Sequence, residues 1–215
     1  CPETVMANRF FLFVVWILTT PLVMSHPHAW IDMQTRFLIN EQQQLIGLDL
    51  IWHFDDMYSA NMIEDMKQKK EPLAKQYQDF AKDSIEYMAA ENWLTHLEMN
   101  GQVLPVSKPT NYRTEKIDYH LALHFVLPLK EPVPIKGNTF SLSIYDATYY
   151  VEMLHHKLNT ISVSDNAASL CNAKLETPEP PEDISAYAAS LDVNQRSDTG
   201  LGTLFAEKVI LTCHP

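Results

Sequence analysis

Along residues 30–40, Ile31, Met33, Thr35, Phe37 and Ile39 fall on one side of an extended chain; Asp32, Gln34, Arg36 and Asn40 fall on the other. That period of two predicts a half-buried strand. Residues 45–54 repeat it, with Ile46, Leu48, Leu50, Trp52 and Phe54 on the apolar side. The polar stretch Glu41-Gln42-Gln43-Gln44 between them predicts a turn, so the two segments read as a β-hairpin. The period then changes. Tyr58, Met62 and Met66 recur every fourth residue behind Asp55-Asp56, which can cap a helix. Pro72 can open a second helix, whose apolar face is Leu73, Tyr77, Phe80, Ala81, Ile85 and Met88.

From Trp93 the period returns to two. Residues 94–99 and 102–107 flank Asn100-Gly101, a strong hairpin signal. One strand is expected over 117–127, with Tyr119, Leu121, Leu123, Phe125 and Leu127 on its apolar side. A proline-bearing loop follows over 130–137. Further strands are expected at 140–145, 149–153 and 158–164. The proline-rich residues 176–183 read as a linker, 184–191 as a short helix and 204–213 as a last strand. The sum is an α+β fold: mainly antiparallel β-sheets with a helical insertion of two helices after the first hairpin.

Charge narrows the function. The 215 residues carry 27 acidic and 16 basic side chains, a net charge of −11, and no basic cluster. That excludes the electrostatic footprint of a nucleic-acid binder. Near the start, Met6-Ala7-Asn8-Arg9 forms a basic region and residues 10–18 an apolar run. Val23 and Ser25 then occupy the small-residue positions of a cleavage site before His26. The apolar run is shorter than the ~20 residues a membrane span needs. Residues 1–25 are therefore expected to be upstream residues and a signal peptide. Residues 26–215 are expected to be one exported domain, in the periplasm. Cysteines stand at positions 1, 171 and 213. Export leaves Cys171 and Cys213 as a pair expected to form a disulfide.

Cleavage after Ser25 would make His26 the mature N-terminus. His26-Pro27-His28-Ala29-Trp30-Ile31-Asp32 then places an amine, two imidazoles and a carboxylate close together. Pro27 has no amide N–H, so a square-planar site using the second-residue amide cannot form. Side chains and the amine suit zinc better. Pairing of the first two strands would bring His53, Asp55 and Asp56 towards this stretch. Asp55 and Asp56 are either added ligands or helix caps. Asp146, beside Tyr145, Tyr149 and Tyr150, is either a ligand, an orienting partner or a turn former, and Glu152 lies close behind it. His120 and His124 are expected on a sheet face, and His155-His156 in a loop that adds weak metal binding. Catalytic motifs for hydrolases, zinc peptidases, phosphate loops and dinucleotide binding are missing, so no enzymatic activity is expected.

Three motifs carry a family resemblance: His26-Pro27-His28-Ala29-Trp30-Ile31-Asp32 after a signal segment, Trp52-His53-Phe54-Asp55 followed by Met57-Tyr58-Ser59, and Tyr145-Asp146-Ala147-Thr148-Tyr149-Tyr150-Val151. In this order they resemble the ZevA-like periplasmic domain-of-unknown-function family, over nearly the whole mature chain. Ala147 departs from the family, which usually has Pro there. The resemblance implies a periplasmic component of an ABC-type transport system, associated with NicO-type nickel/cobalt permeases and, for some members, zinc acquisition. Zinc is the expected metal, with nickel or cobalt as alternatives. His26, His28, Asp146 and Asp55 are the expected ligands; Asp32, His53, Asp56 and Glu152 are outer or weaker ones. Two rival functions are a transporter assembly subunit that binds no metal and a copper redox protein using the N-terminal histidine.

Overall fold

A computed structural model describes residues 27–191 and 200–214. The expected signal segment and His26 lie outside these residues. β1 (Ala29–Ile39) and β2 (Gln44–Phe54) form the first hairpin, in antiparallel register with Asp32 opposite His53 and Gln34 opposite Ile51. Two helices follow it, α1 (Asp56–Gln68) and α2 (Leu73–Tyr87). Next come β3 (Thr95–Met99), β4 (Gln102–Val103), β5 (Thr110–Ile117), β6 (His120–Pro134), β7 (Thr139–Ile144), β8 (Val151–Leu154), β9 (Ile161–Val163) and β10 (Cys171–Glu176). The chain ends with α3 (Glu182–Ser190), α4 (Gly202–Phe205) and β11 (Lys208–Cys213).

The strands make two sheets. The first runs β5-β6-β2-β1-β8, with β9 continuing along the same edge of β1 as β8. Only the pairings of β8 and β9 with β1 are parallel in it. The second runs β10-β11-β7-β3-β4 and is antiparallel throughout. The fold is α+β, mainly antiparallel, with the two-helix insertion behind the first hairpin.

One apolar core joins both sheets. Phe37, Leu48, Leu50, Trp52 and Phe125 from the first share it with Leu97, Phe140, Leu142, Val209 and Leu211 from the second. Trp52 meets Phe125 edge to face at 4.9 Å, a favoured geometry for the ring quadrupoles. Ala81 and Ile85 of α2 and Met66 of α1 belong to the same core. Tyr149, Ala188, Leu191 and Leu201 form a smaller cluster, with Phe205 stacked on Tyr149 at 4.0 Å. Cys171 and Cys213 face each other across β10 and β11 and are joined by a disulfide.

Several elements differ from the sequence expectation. Ile46 points outward, because the β2–β6 register shifts between Leu45 and Gly47 and Leu45 takes the core position. Gly47 is required there: a Cβ would stand 2.7 Å from the Leu127 carbonyl oxygen. The single strand expected over 117–127 is a hairpin that turns at Asp118-Tyr119, with Asp118 at φ 51°. Tyr119 is exposed at its tip. β5 escaped the pattern because it is an edge strand with one buried position, Thr114. β6 continues through the expected loop as far as Pro134, pairing with Gln44. The final strand starts at Lys208, after the short α4.

Ser59 ties the insertion to the sheet. Its buried hydroxyl donates to the Phe54 carbonyl at 3.1 Å and accepts from the Leu121 N–H at 2.9 Å. Ser59→Ala leaves that buried N–H without its partner, which costs about 1–3 kcal/mol. The urea midpoint is expected to fall with an unchanged slope; an unchanged midpoint would contradict this role.

Candidate functional site

The alternation of β1 sends Ala29, Ile31, Met33, Thr35, Phe37 and Ile39 into the interior and leaves Trp30, Asp32, Gln34 and Arg36 on the outer side. β2 is in register with it, so His53 stands beside Asp32 on that outer face. Side chains directly opposite on paired strands have Cβ atoms ~5 Å apart. Above this face lies an open cleft of about 790 Å³. Trp30, Phe54 and Met33 supply its apolar lining; Asp32, His53, Asp55, Asp56, His120, His155 and His156 supply the ionisable groups, with Lys157 as the one cationic side chain.

Each wall presents a histidine held by a carboxylate. On the β6 side, His120 Nε2 stands 2.6 Å from Asp56 Oδ1. On the β8 side, His156 Nε2 donates to Asp32 Oδ1 at 2.8 Å. Both imidazoles are about half exposed, 43% and 52%, so these contacts are easily exchanged. His156 holds a positive φ of 58°, a region that non-glycine residues rarely occupy. Between the walls, His53 Nε2 accepts from the Gln34 amide at 3.1 Å. Burial lowers the His53 pKa; Asp32 opposes this and His120 adds to it.

Behind the β8 wall is a buried anchor. His155 turns inward where His156 turns outward. Its Nε2 meets Thr35 Oγ1 at 2.9 Å, and its Nδ1 meets Glu207 Oε2 at 3.2 Å. The His155 backbone N–H also donates to Glu207. Burial pushes the Glu207 carboxyl up, but its hydrogen bonds to His155 outweigh this and hold it below the usual carboxylate range. On the β6 side, His124 lies between Arg113, which donates to its Nδ1 at 3.1 Å, and Glu115, 2.7 Å from its Nε2. Burial first, and then Arg113, hold its pKa below that of an ordinary imidazole.

The expected site residues fall in two places. Asp32, His53, Asp55 and Asp56 line the cleft. Asp55 is also the N-cap of α1: Oδ1 accepts from Tyr58 N–H at 2.8 Å, while Oδ2 accepts from Trp30 N–H at 3.0 Å. This second bond ties the start of β1 to the start of the insertion. His28 precedes that point by two residues, with its ring 5.1 Å from that of Tyr150. Asp146 and Glu152 lie apart from the cleft, around a small pocket lined also by Tyr149, Gly202 and Phe205. The Asp146 carboxylate accepts from the N–H groups of Thr148, Tyr150 and Val151 and so shapes the turn before β8. Among the described residues, no three His, Cys, Asp or Glu side chains are grouped closely enough to hold an ion as they stand.

The family described as "Protein of unknown function (DUF1007)" matches residues 11–213. The chain belongs to the DUF1007 family. A protein of Haemophilus influenzae described as "Uncharacterized protein" is 36% identical over 194 residues, covering 89% of this chain and 92% of that one. No solved structure matches. In this DUF1007 member, no helix among the described residues is long and apolar enough to cross a membrane.

The sequence reading gave little weight to His120 and His156 and missed Glu207. His120 reaches Asp56 only because the chain turns at Asp118-Tyr119, inside what reads as one long strand with Tyr119 on its apolar side. Glu207 lies 52 positions from His155, and no local pattern links them.

The lowered imidazoles set an acid dependence. His53, His96 and His124 titrate below the ordinary value of 6.5. An unfolded chain therefore takes up protons first as the pH falls through 6.5, and stability is full above that value and declines below it. Glu207 adds a second loss below 4.5, as the pH falls through its lowered folded value. The melting temperature is expected to fall between about pH 7.5 and about pH 5.5, with a shallower fall in His124→Gln. A flat or rising profile would contradict the assignment.

Proposed function

We propose that this chain is a periplasmic metal-binding accessory protein of a transition-metal transport system. It carries zinc, or nickel or cobalt, to a membrane permease, and catalyses no reaction itself. One observation carries the reading: among the described residues, the cleft beside the start of β1 gathers the imidazoles of His53, His120 and His156 and three carboxylates against a single lysine, with His155 buried behind its wall. Nitrogen and oxygen donors of this kind suit borderline divalent cations. The cysteines Cys171 and Cys213 are tied up in the disulfide and add no sulfur ligand. The net charge of −11 favours cations at the surface.

His28 enters β1 two residues before Trp30, which lines the cleft. In this reading His26 and His28, with the amine freed after Ser25, make the capture site, and Asp55 holds the segment in place through the Trp30 N–H. Asp146 supports it indirectly, by shaping the turn that brings Tyr150 against His28. The resemblance to the ZevA-like periplasmic family supports a NicO-type permease as the recipient.

Calorimetric titration with zinc tests this on protein beginning at His26. The His26→Ala/His28→Ala protein is expected to bind about tenfold more weakly or worse, a loss of ~1.4 kcal/mol or more. Equal affinity in the two proteins would remove the N-terminal capture site.

A further inference from the structure

The cleft is poorly built for a bare ion. Zinc–ligand bonds are ~2.0–2.2 Å long, so the donors of one site crowd around one point. Here the two carboxylate-held histidines rise from opposite walls. His120 belongs to β6; His156 follows β8, three strand spacings away in the order β6-β2-β1-β8. Three spacings make ~14 Å between the strands. Among the described residues no three candidate donors converge. The volume, about 790 Å³, belongs to the ~300–1,000 Å³ class that takes small molecules.

The lining states the chemistry of the occupant. Asp32, Asp55 and Asp56 against Lys157 repel an anion and favour a cation. Trp30, 43% exposed, gives an apolar surface that a bare ion would not use. The bonds of His120 and His156 to their carboxylates are single and exposed, so a ligand can replace them at small cost. The positive φ of His156 is a local strain of the kind found where a side chain is held out for a ligand.

We infer that the cleft takes a divalent cation already held in a small chelate, an amino acid or similar amine-carboxylate molecule. His120 and His156 contact the ion and the polar groups of its chelator from the two walls. The inference rests on the metal-binding reading above and names the form in which the metal arrives.

Equilibrium dialysis tests it, with protein beginning at His26 and, as probe, zinc with two equivalents of radiolabelled L-histidine. The expected result is retention of zinc and histidine together, with an affinity about tenfold weaker or worse in His120→Gln/His156→Gln. Both substituted imidazoles are half exposed, and an unchanged melting temperature confirms that the variant is folded. Zinc retained without histidine overturns the inference and leaves the metal-binding reading standing. Co-retention unaffected by the two Gln substitutions overturns the placement in the cleft. Retention of neither probe overturns both.

Discussion

The paired register of β1 and β2 fixes everything else. Asp32 opposite His53 means that Ile31, Met33 and Phe37 face inward while Trp30, Asp32 and Gln34 face outward. A one-residue slip would exchange the two sets, burying a carboxylate and exposing a core phenylalanine. Burial of the odd positions therefore enforces the chemistry of the even ones. The core supplies the specificity of the cleft although it contributes few of its side chains.

Two buried polar contacts carry that register outward to the walls. Ser59 joins the first turn of α1 to the ends of β2 and β6, and so brings Asp56 within reach of His120. On the other side, Glu207 and Thr35 hold the ring of His155 between the entry to β11 and the middle of β1. With His155 fixed inward, the tight turn at His156, where φ is 58° and the Lys157 N–H donates to the His155 carbonyl, places the His156 ring over Asp32. Both anchors are satisfied by hydrogen bonds within the protein, as burial of such groups requires. The histidines facing the cleft are held only by exposed partners, so the walls are firm and their ligating groups are adjustable.

The sequence made the first hairpin, the two helices and the Asn100-Gly101 turn legible, because each obeys one clear period or turn signal. It failed where period and burial part company. At Ile46 and Gly47 the alternation shifts by one residue, to let β2 pass the Leu127–Pro128 backbone. β5 carries too little apolar pattern to announce itself, since an edge strand buries little. For the site, local reading found the carboxylates and His53, which lie within one hairpin and the first residues of α1. It could not find the pairs His120–Asp56, His156–Asp32 and His155–Glu207, which arise from long-range pairing of β6, β8 and β11 with the rest of the fold.

The central claim is that this DUF1007 chain carries a transition metal through nitrogen and oxygen donors. The most direct test is elemental analysis of the protein purified from periplasm with its native N-terminus and without chelators, followed by X-ray absorption at the edge of the metal found. The account predicts zinc, nickel or cobalt in stoichiometric amount, with a first shell of nitrogen and oxygen including imidazole. Protein that is free of metal when so purified, or a first shell containing sulfur, would contradict it.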